Sequence, residues 1–304
     1  MKIYALMKRA LKNPEKIPMN IMYRIPFISN RISDEKYLKI LYWLTFHKKL
    51  NLKIPVTFNE KLQWLKLNDR KDIYTEMVDK NKAKSYVANI IGDDYIIPTI
   101  GVYDSFDEID FDKLPNQFVM KCTHDSGNVV VCIDKNIFNK KNARKRINKS
   151  LKTNYFYISR EWPYKNVEKK IIIEKYMKDY NKIDLTDYKF YCFNGEPKYL
   201  YISEGLSNHS TAKIDFFDMN FDRAPFGRTD FNHFDEIPEK PINFEEMKKL
   251  AKELSKGFSF LRVDFYEING KIYFGELTFT PCGGFMIFSP EEWDKKLGDL
   301  LELI

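Results

Sequence analysis

The chain has 304 residues and is 44% hydrophobic, enough for one sizeable core with an extension or for two modest domains. Its formal net charge of +7 is spread through interspersed Lys, Arg, Asp and Glu; this favours acidic partners such as an acidic sugar or a nucleotide and argues against a dedicated nucleic-acid surface. Cys122, Cys132, Cys192 and Cys282 lack the spacing of a zinc site or redox pair, and no apolar run reaches membrane-spanning length, so the expectation is buried free thiols in a cytoplasmic protein.

In chain order, Ile3, Leu6, Met7, Ala10 and Leu11 recur at helical spacing among Lys2, Lys8, Arg9 and Lys12. Such a basic amphipathic helix either packs on its own domain or makes peripheral contact with an anionic membrane. Pro14, Pro18 and Pro26 punctuate the segment before a helix over 34–50. Thr57 and Glu60 are spaced as a capping box opening the next helix, and a further one is expected over 74–90. A short extended piece at 96–103 precedes a strand over 117–122, a polar turn at 123–128 and a strand over 129–133. The turn is small and carries Gly127, so its N–H groups suit close approach to an anion.

Residues 139–152 read as a basic helix with a solvated face, and 171–177 as a strand too apolar in its first half to be exposed. The strand over 187–193 turns at Asn194-Gly195 into 197–202, a hairpin. An amphipathic helix over 244–257 leads to a second hairpin, 261–266 and 272–278, joined through Ile268-Asn269-Gly270. That hairpin carries Asp264 and Glu276 on neighbouring strands. Two such acids either face solvent or share a cation, since like charges at close range raise each other's pKa. Hard oxygen ligands of this kind suit Mg²⁺, which fills its remaining positions with phosphate oxygens and water.

Taken together these pieces resemble the ATP-grasp superfamily, and within it the TupA-like branch tied to bacterial polysaccharide and teichuronopeptide synthesis. The resemblance rests on Thr57-Phe58-Asn59-Glu60-Lys61-Leu62-Gln63-Trp64-Leu65-Lys66, on Asp79-Lys80, and on Lys121 with the loop through Gly127. It rests further on Asp187-Tyr188-Lys189-Phe190 with Phe193-Asn194-Gly195, and on Arg262-Val263-Asp264-Phe265-Tyr266 with Gly275-Glu276-Leu277-Thr278. It covers roughly residues 34–304.

The resemblance implies an α+β fold in which antiparallel sheets sandwich ATP, with an N-terminal helical extension over 1–57, a helical part over 58–116 and the ATP-grasp domain over 117–304. Within that domain the lid would be 117–176 and the metal and substrate part 177–304. It implies ATP and Mg²⁺ as cofactors. Lys80 and Lys121 would bind nucleotide, Lys121 at the α- or β-phosphate; His124, Ser126 and Gly127 would close over the outer phosphates. Glu174, Lys175, Tyr176 and Met177 would meet adenine, Asp187 the ribose, and Lys189 the γ-phosphate. Asp264 and Glu276 would hold magnesium and Arg262 would steady the transferring phosphoryl group. Thr278 stands where many ATP-grasp enzymes have Asn, a poorer metal ligand, so water completes that site or one ion binds tightly.

The activity implied is an ATP-dependent carboxylate–amine ligase working through an acyl phosphate. Its partners would be a uronic acid of a surface glycan, or another acidic sugar, and an amino acid or small amine. Three other readings stay open: an ATP-grasp phosphotransferase acting on a sugar, a glycosyltransferase, for which no Asp-x-Asp motif follows a parallel strand, and a non-catalytic polysaccharide-binding module. Residues 223–228 and 155–160 either receive an acidic sugar or are surface loops. His209 and His233 read as exposed structural histidines.

Overall fold

A computed structural model describes residues 31–303 apart from 181, 183 and 207–209. The basic amphipathic helix expected near residue 2 and His209 lie outside the described residues. Two antiparallel sheets dominate. The smaller has four strands in the order β1-β4-β2-β3, from Thr99–Tyr103 (β1), Phe118–Cys122 (β2), Val130–Cys132 (β3) and Ile171–Lys175 (β4). The larger has five in the order β10-β9-β5-β6-β7, from Asp187–Phe193 (β5), Glu196–Glu204 (β6), Lys213–Asp218 (β7), Phe260–Ile268 (β9) and Lys271–Thr278 (β10). Gly227–Arg228 (β8) pairs with Phe288–Ser289 (β11) beside it.

Both expected hairpins form where Asn-Gly sits in the left-handed region: φ is 51° and 78° at Asn194-Gly195, and 52° and 74° at Asn269-Gly270. Positive φ at both central residues gives the turn whose twist matches its strands.

The helices are Asp34–Phe46 (α1), Phe58–Asn68 (α2), Ile73–Val78 (α3), Lys82–Ile91 (α4), Lys140–Leu151 (α5), Phe156–Ser159 (α6), Phe244–Ser255 (α7) and Glu292–Leu300 (α8). At the start of α2 the capping box closes as expected: Glu60 N donates to Thr57 Oγ1 at 3.2 Å and Thr57 N to Glu60 Oε2 at 3.2 Å. The single helix expected over 74–90 is instead two. Asp79 breaks it, because its carboxylate accepts the N–H groups of Asn81 (2.8 Å) and Lys82 (3.2 Å) and so starts α4 afresh. At the break the Lys80 N–H donates to Thr123 O at 3.1 Å.

Each sheet is covered according to its side-chain alternation. One face of the five-stranded sheet buries Phe190, Leu200, Val263 and Phe265 under Met247 and Leu254 of α7 and Val87 of α4. The other buries Tyr191, Phe193 and Phe260 against Phe58 and Leu62 of α2 and Leu297 of α8. The four-stranded sheet packs Phe118, Met120, Ile171 and Ile173 on Ala143 and Ile147 of α5. Its opposite face, carrying Val119, Lys121 and Val131, is open.

The polar residues of α2 point inward. Asn59 exchanges two hydrogen bonds with the Met286 backbone (2.8 and 3.0 Å), and Gln63 Nε2 donates to Gly284 O at 2.6 Å. Lys66 donates to Ser159 O at 2.8 Å and to Gly283 O. α2 thus clasps the loop that follows β10. Cys122, Cys132 and Cys192 are buried and unbridged, and Cys282 is half-buried. Among the described residues no helix is long and apolar enough to cross a membrane.

Candidate active site

Residues opposite one another across the five-stranded sheet line up in rows on one face. Tyr201, Lys189, Asp264 and Glu276 form one row, and Tyr199, Tyr191, Arg262 and Thr278 the next. The first row exists because the β9–β10 register slips by one residue between Phe274 and Glu276. Gly275 is the extra residue of that bulge. A Cβ there would lie 3.1 Å from Asp264 O and 3.3 Å from Asp264 Cβ, so glycine alone lets β10 approach closely enough to set Glu276 beside Asp264.

Charges on this floor are paired among themselves. Arg262 forks onto Asp264 (Nε to Oδ1 2.7 Å, Nη2 to Oδ2 2.6 Å) and also reaches Glu276 Oε1. Lys189 Nζ lies 2.8 Å from Asp187 Oδ1 and 3.2 Å from Asp264 Oδ2. Two cations therefore face three carboxylates. Burial acts to raise the Glu276 carboxyl, but Arg262, Lys189 and Lys80 outweigh it and hold it at about 2. Asp264, more deeply buried, stays above its ordinary value, because burial exceeds the pull of Arg262 and Lys189. Burial lowers Lys189, yet Asp187 and Asp264 more than reverse it, and the ammonium stays charged.

The opposite wall is the open face of the four-stranded sheet. Val129, just before β3, and Val131 within it are 39% and 48% exposed on this face, a large apolar exposure. A cavity of about 310 Å³ lies between the two sheets, lined by Val119, Lys121, Val129 and Val131 on one side, by residues 174–179 at its end, and by Tyr266 of β9 on the other. Tyr266 stands opposite Asp187 across the strands, and that carboxylate, with burial, raises its hydroxyl. Lys80 leans in from the α3–α4 junction, donates to Asp125 O, and is close enough to Glu276 for each to shift the other. Ser126 and Gly127 stand exposed at the tip of the turn, where Ser126 meets the Tyr155 hydroxyl.

A family model for the TupA-like ATP-grasp proteins matches residues 60–302. The chain belongs to this family. Its two antiparallel sheets with flanking helices are accordingly an ATP-grasp fold. Among solved structures, the chain is similar to the D-alanine–D-alanine ligase of Bacillus anthracis complexed with ATP, at 17% identity over 74% of this chain and 64% of that one, with a TM-score of 0.41. It is also similar to the Helicobacter pylori D-alanine–D-alanine ligase, at 12% identity over 80% and 69%, with a TM-score of 0.40. A third is the RimK domain ATP-grasp protein of Sphaerobacter thermophilus, at 10% identity over 75% and 69%, with a TM-score of 0.39. The chain spans less than two thirds of the length of the first of these. None of the curated proteins compared with the chain matches it.

On the ATP-grasp framework the expected residues fall into two groups. Asp187, Lys189, Arg262, Asp264, Glu276 and Thr278 share the floor; Lys121, Glu174, Tyr176 and Met177 border the cavity above it. Lys175 lines the same cavity, with its backbone N–H already donated to Pro98 O at 3.0 Å.

Two expectations need correction. His124 does not face the cleft: its ring is buried, with Nε2 3.1 Å from both Ser150 O and Thr153 O at the end of α5, and burial lowers its pKa. Arg160 is buried against Tyr37, 4.0 Å from the ring centre, and paired with Asp34, so it is no receptor for a sugar acid. His233 is exposed as expected, and its Nδ1 lies 2.5 Å from Asp215 Oδ1.

Magnesium fits this donor set only as an ion shared with phosphate. Asp264, Glu276 and Thr278 offer hard oxygens, with Thr278 Oγ1 3.2 Å from Glu276 Oε1, but no cluster of three or more His, Cys, Asp or Glu occurs among the described residues. Arg262 now bridges both carboxylates, and a divalent ion there would compete with its guanidinium.

Sequence reasoning missed Lys84, which joins Lys121 at the Glu174 carboxylate. It offered Tyr155 only within a stretch that either receives an acidic sugar or is a surface loop, and it left Tyr164 outside the site. Their rings are 5.0 Å apart, and burial together with the charges of Glu161 and Glu276 raises both hydroxyls. Glu161 in turn accepts from Ser159 Oγ (2.6 Å) and Thr280 Oγ1 (2.5 Å).

Proposed function

We propose that the protein is an ATP-dependent carboxylate–amine ligase that joins an amino acid or small amine to a uronic acid of a bacterial surface polysaccharide. The observation that carries this reading is the cavity between the two sheets, with Lys121 on one wall and Tyr266 on the other, next to the Lys189–Asp264–Glu276 row on the same face of the five-stranded sheet. Apolar Val119, Val129 and Val131 suit a planar base, and the lysines suit its phosphates as compact point charges.

In this reading a substrate carboxylate oxygen attacks the γ-phosphorus, ADP leaves, and an acyl phosphate results. An amine then attacks the acyl carbon, phosphate departs, and the nitrogen gives up a proton. Lys189 and Arg262 balance charge on the transferring group, while Asp264 and Glu276 orient those cations and accept magnesium with Thr278 nearby. Magnesium, when bound, supplies neutralisation of phosphate charge. The protein's share is mainly positioning and electrostatics, as phosphoryl transfer requires.

The test is ADP release with ATP, Mg²⁺ and a panel of uronic-acid sugars in the presence of hydroxylamine, which traps an acyl phosphate as a hydroxamate. ADP with matching hydroxamate, lost in Glu276→Gln, supports carboxylate activation. ADP with a stable phosphosugar and no hydroxamate would replace the ligase reading with a sugar kinase.

A further inference from the structure

Glu174 is only 4% exposed, yet it carries a carboxylate at the end of β4, where the chain enters the cavity lining. Two ammonium groups lie 2.5 Å from its oxygens: Lys84 of α4 at Oε1 and Lys121 of β2 at Oε2. Burial alone would raise this carboxyl, but the two cations together hold it below its ordinary value.

The two lysines are not equivalent. Lys84 Nζ also donates to Ile97 O and to Thr99 Oγ1, each at 2.8 Å, and Thr99 is the cross-strand partner of Glu174. Its three acceptors fix it. Lys121 lines the cavity and meets Glu174 from the open face of the sheet.

A lysine that binds a phosphate must first leave its carboxylate. Stripping one partner from a buried ion pair strands the other charge and is strongly unfavourable. With a second cation fixed at Oε1, the carboxylate stays compensated when Lys121 departs.

We propose that Lys84 is a positioning residue of the nucleotide site: it retains the Glu174 carboxylate so that Lys121 can transfer to a phosphate. The proposal rests on the nucleotide reading above. Without Lys84, Lys121 becomes the sole counter-ion of Glu174, and the nucleotide must break that pair to recruit it.

The experiment is calorimetric titration of Mg-ATP into wild type, Lys84→Met, Glu174→Gln and the double variant, each shown to be folded by its thermal transition. Lys84→Met is expected to weaken binding about tenfold. The double variant should bind within about threefold of Glu174→Gln, because no carboxylate remains to detain Lys121. Lys84→Arg, which keeps the charge, should recover most of the loss, and Lys84→Gln takes the place of Lys84→Met if that variant does not fold. An equal loss from Lys84→Met in both backgrounds would overturn the proposal, because Lys84 would then act by packing α4 on residues 97–99. A folded wild type that fails to bind Mg-ATP would instead remove the nucleotide reading itself.

Discussion

Gly275→Ala tests whether the bulge in β10 creates the carboxylate pair. The new methyl carbon would sit 3.1 Å from Asp264 O, 3.3 Å from Asp264 Cβ and 3.3 Å from a ring carbon of Tyr266. Two of those atoms belong to the residue that Glu276 must adjoin, and the closest is backbone, which cannot rotate away. Relief requires β10 to move off β9 or the bulge to close, and closing it restores the register in which residue 275 faces Asp264. Overpacking of this kind costs about 1–3 kcal/mol. At roughly 2–4 °C per kcal/mol for a chain of this size class, the thermal transition should fall by several degrees. In the ADP-release assay the Mg²⁺ concentration for half-maximal rate should rise about tenfold, since Asp264 and Glu276 no longer share a position. Gly257→Ala is the control: φ is +83° there and nothing lies within 4 Å of an added Cβ. It should cost about 1 kcal/mol from the left-handed backbone and leave the Mg²⁺ dependence alone. If Gly275→Ala melts like wild type and keeps its Mg²⁺ dependence, the bulge does not position the acids.

Two further predictions concern the α2 clasp. Asn59→Ala removes both bonds to Met286 and leaves that buried N–H and C=O without their partner, so it should destabilise by about 2–4 kcal/mol in urea unfolding. Thr57→Ala, which loses the helix cap and leaves the Met286 backbone its partner, should cost about 1 kcal/mol; equal losses would contradict the clasp. Lys66 is 3% exposed, and burial pulls its ammonium from 10.5 down to about 7. Between those values the unfolded chain binds the extra proton, so this contribution to stability is complete above pH 10.5 and is lost as pH falls toward 7. From pH 7 to 9 wild type should gain about 2–3 kcal/mol relative to Lys66→Met. Parallel stability profiles for the two proteins would show that Lys66 keeps its proton.

Much of the floor was legible because strand chemistry is local. The two Asn-Gly turns fix both hairpins and alternation places Lys189 and Asp264 on one face, but plain alternation from Asn269-Gly270 would send Glu276 to the opposite face with Phe274; only the bulge at Gly275, which the hairpin pattern does not announce, brings it beside Asp264. The capping box at Thr57 was equally local. What the sequence hid depends on distant partners or on local competition. Asp79 sits inside an apolar helical pattern, and its power to cap α4 competes with that periodicity. His124 lies in an anion-suited turn, but its ring is claimed by carbonyls at the end of α5, some 26 residues away along the chain. Lys84 follows Lys80 and Lys82 without any distinguishing signal; its role appears only where α4 meets the end of β4. The inward face of α2 was visible as a motif, while the loop it clasps lies more than 200 residues further on.

The central claim is that a nucleotide lies between the two sheets, and photolabelling with 8-azido-ATP in the presence of Mg²⁺ addresses it most directly. Adenine in the cavity should label peptides containing Val129 and Val131, the 174–179 segment or Tyr266, saturably and with protection by ATP. Saturable, ATP-protected labelling confined to other peptides would contradict that placement, and labelling that ATP does not suppress would contradict nucleotide binding altogether.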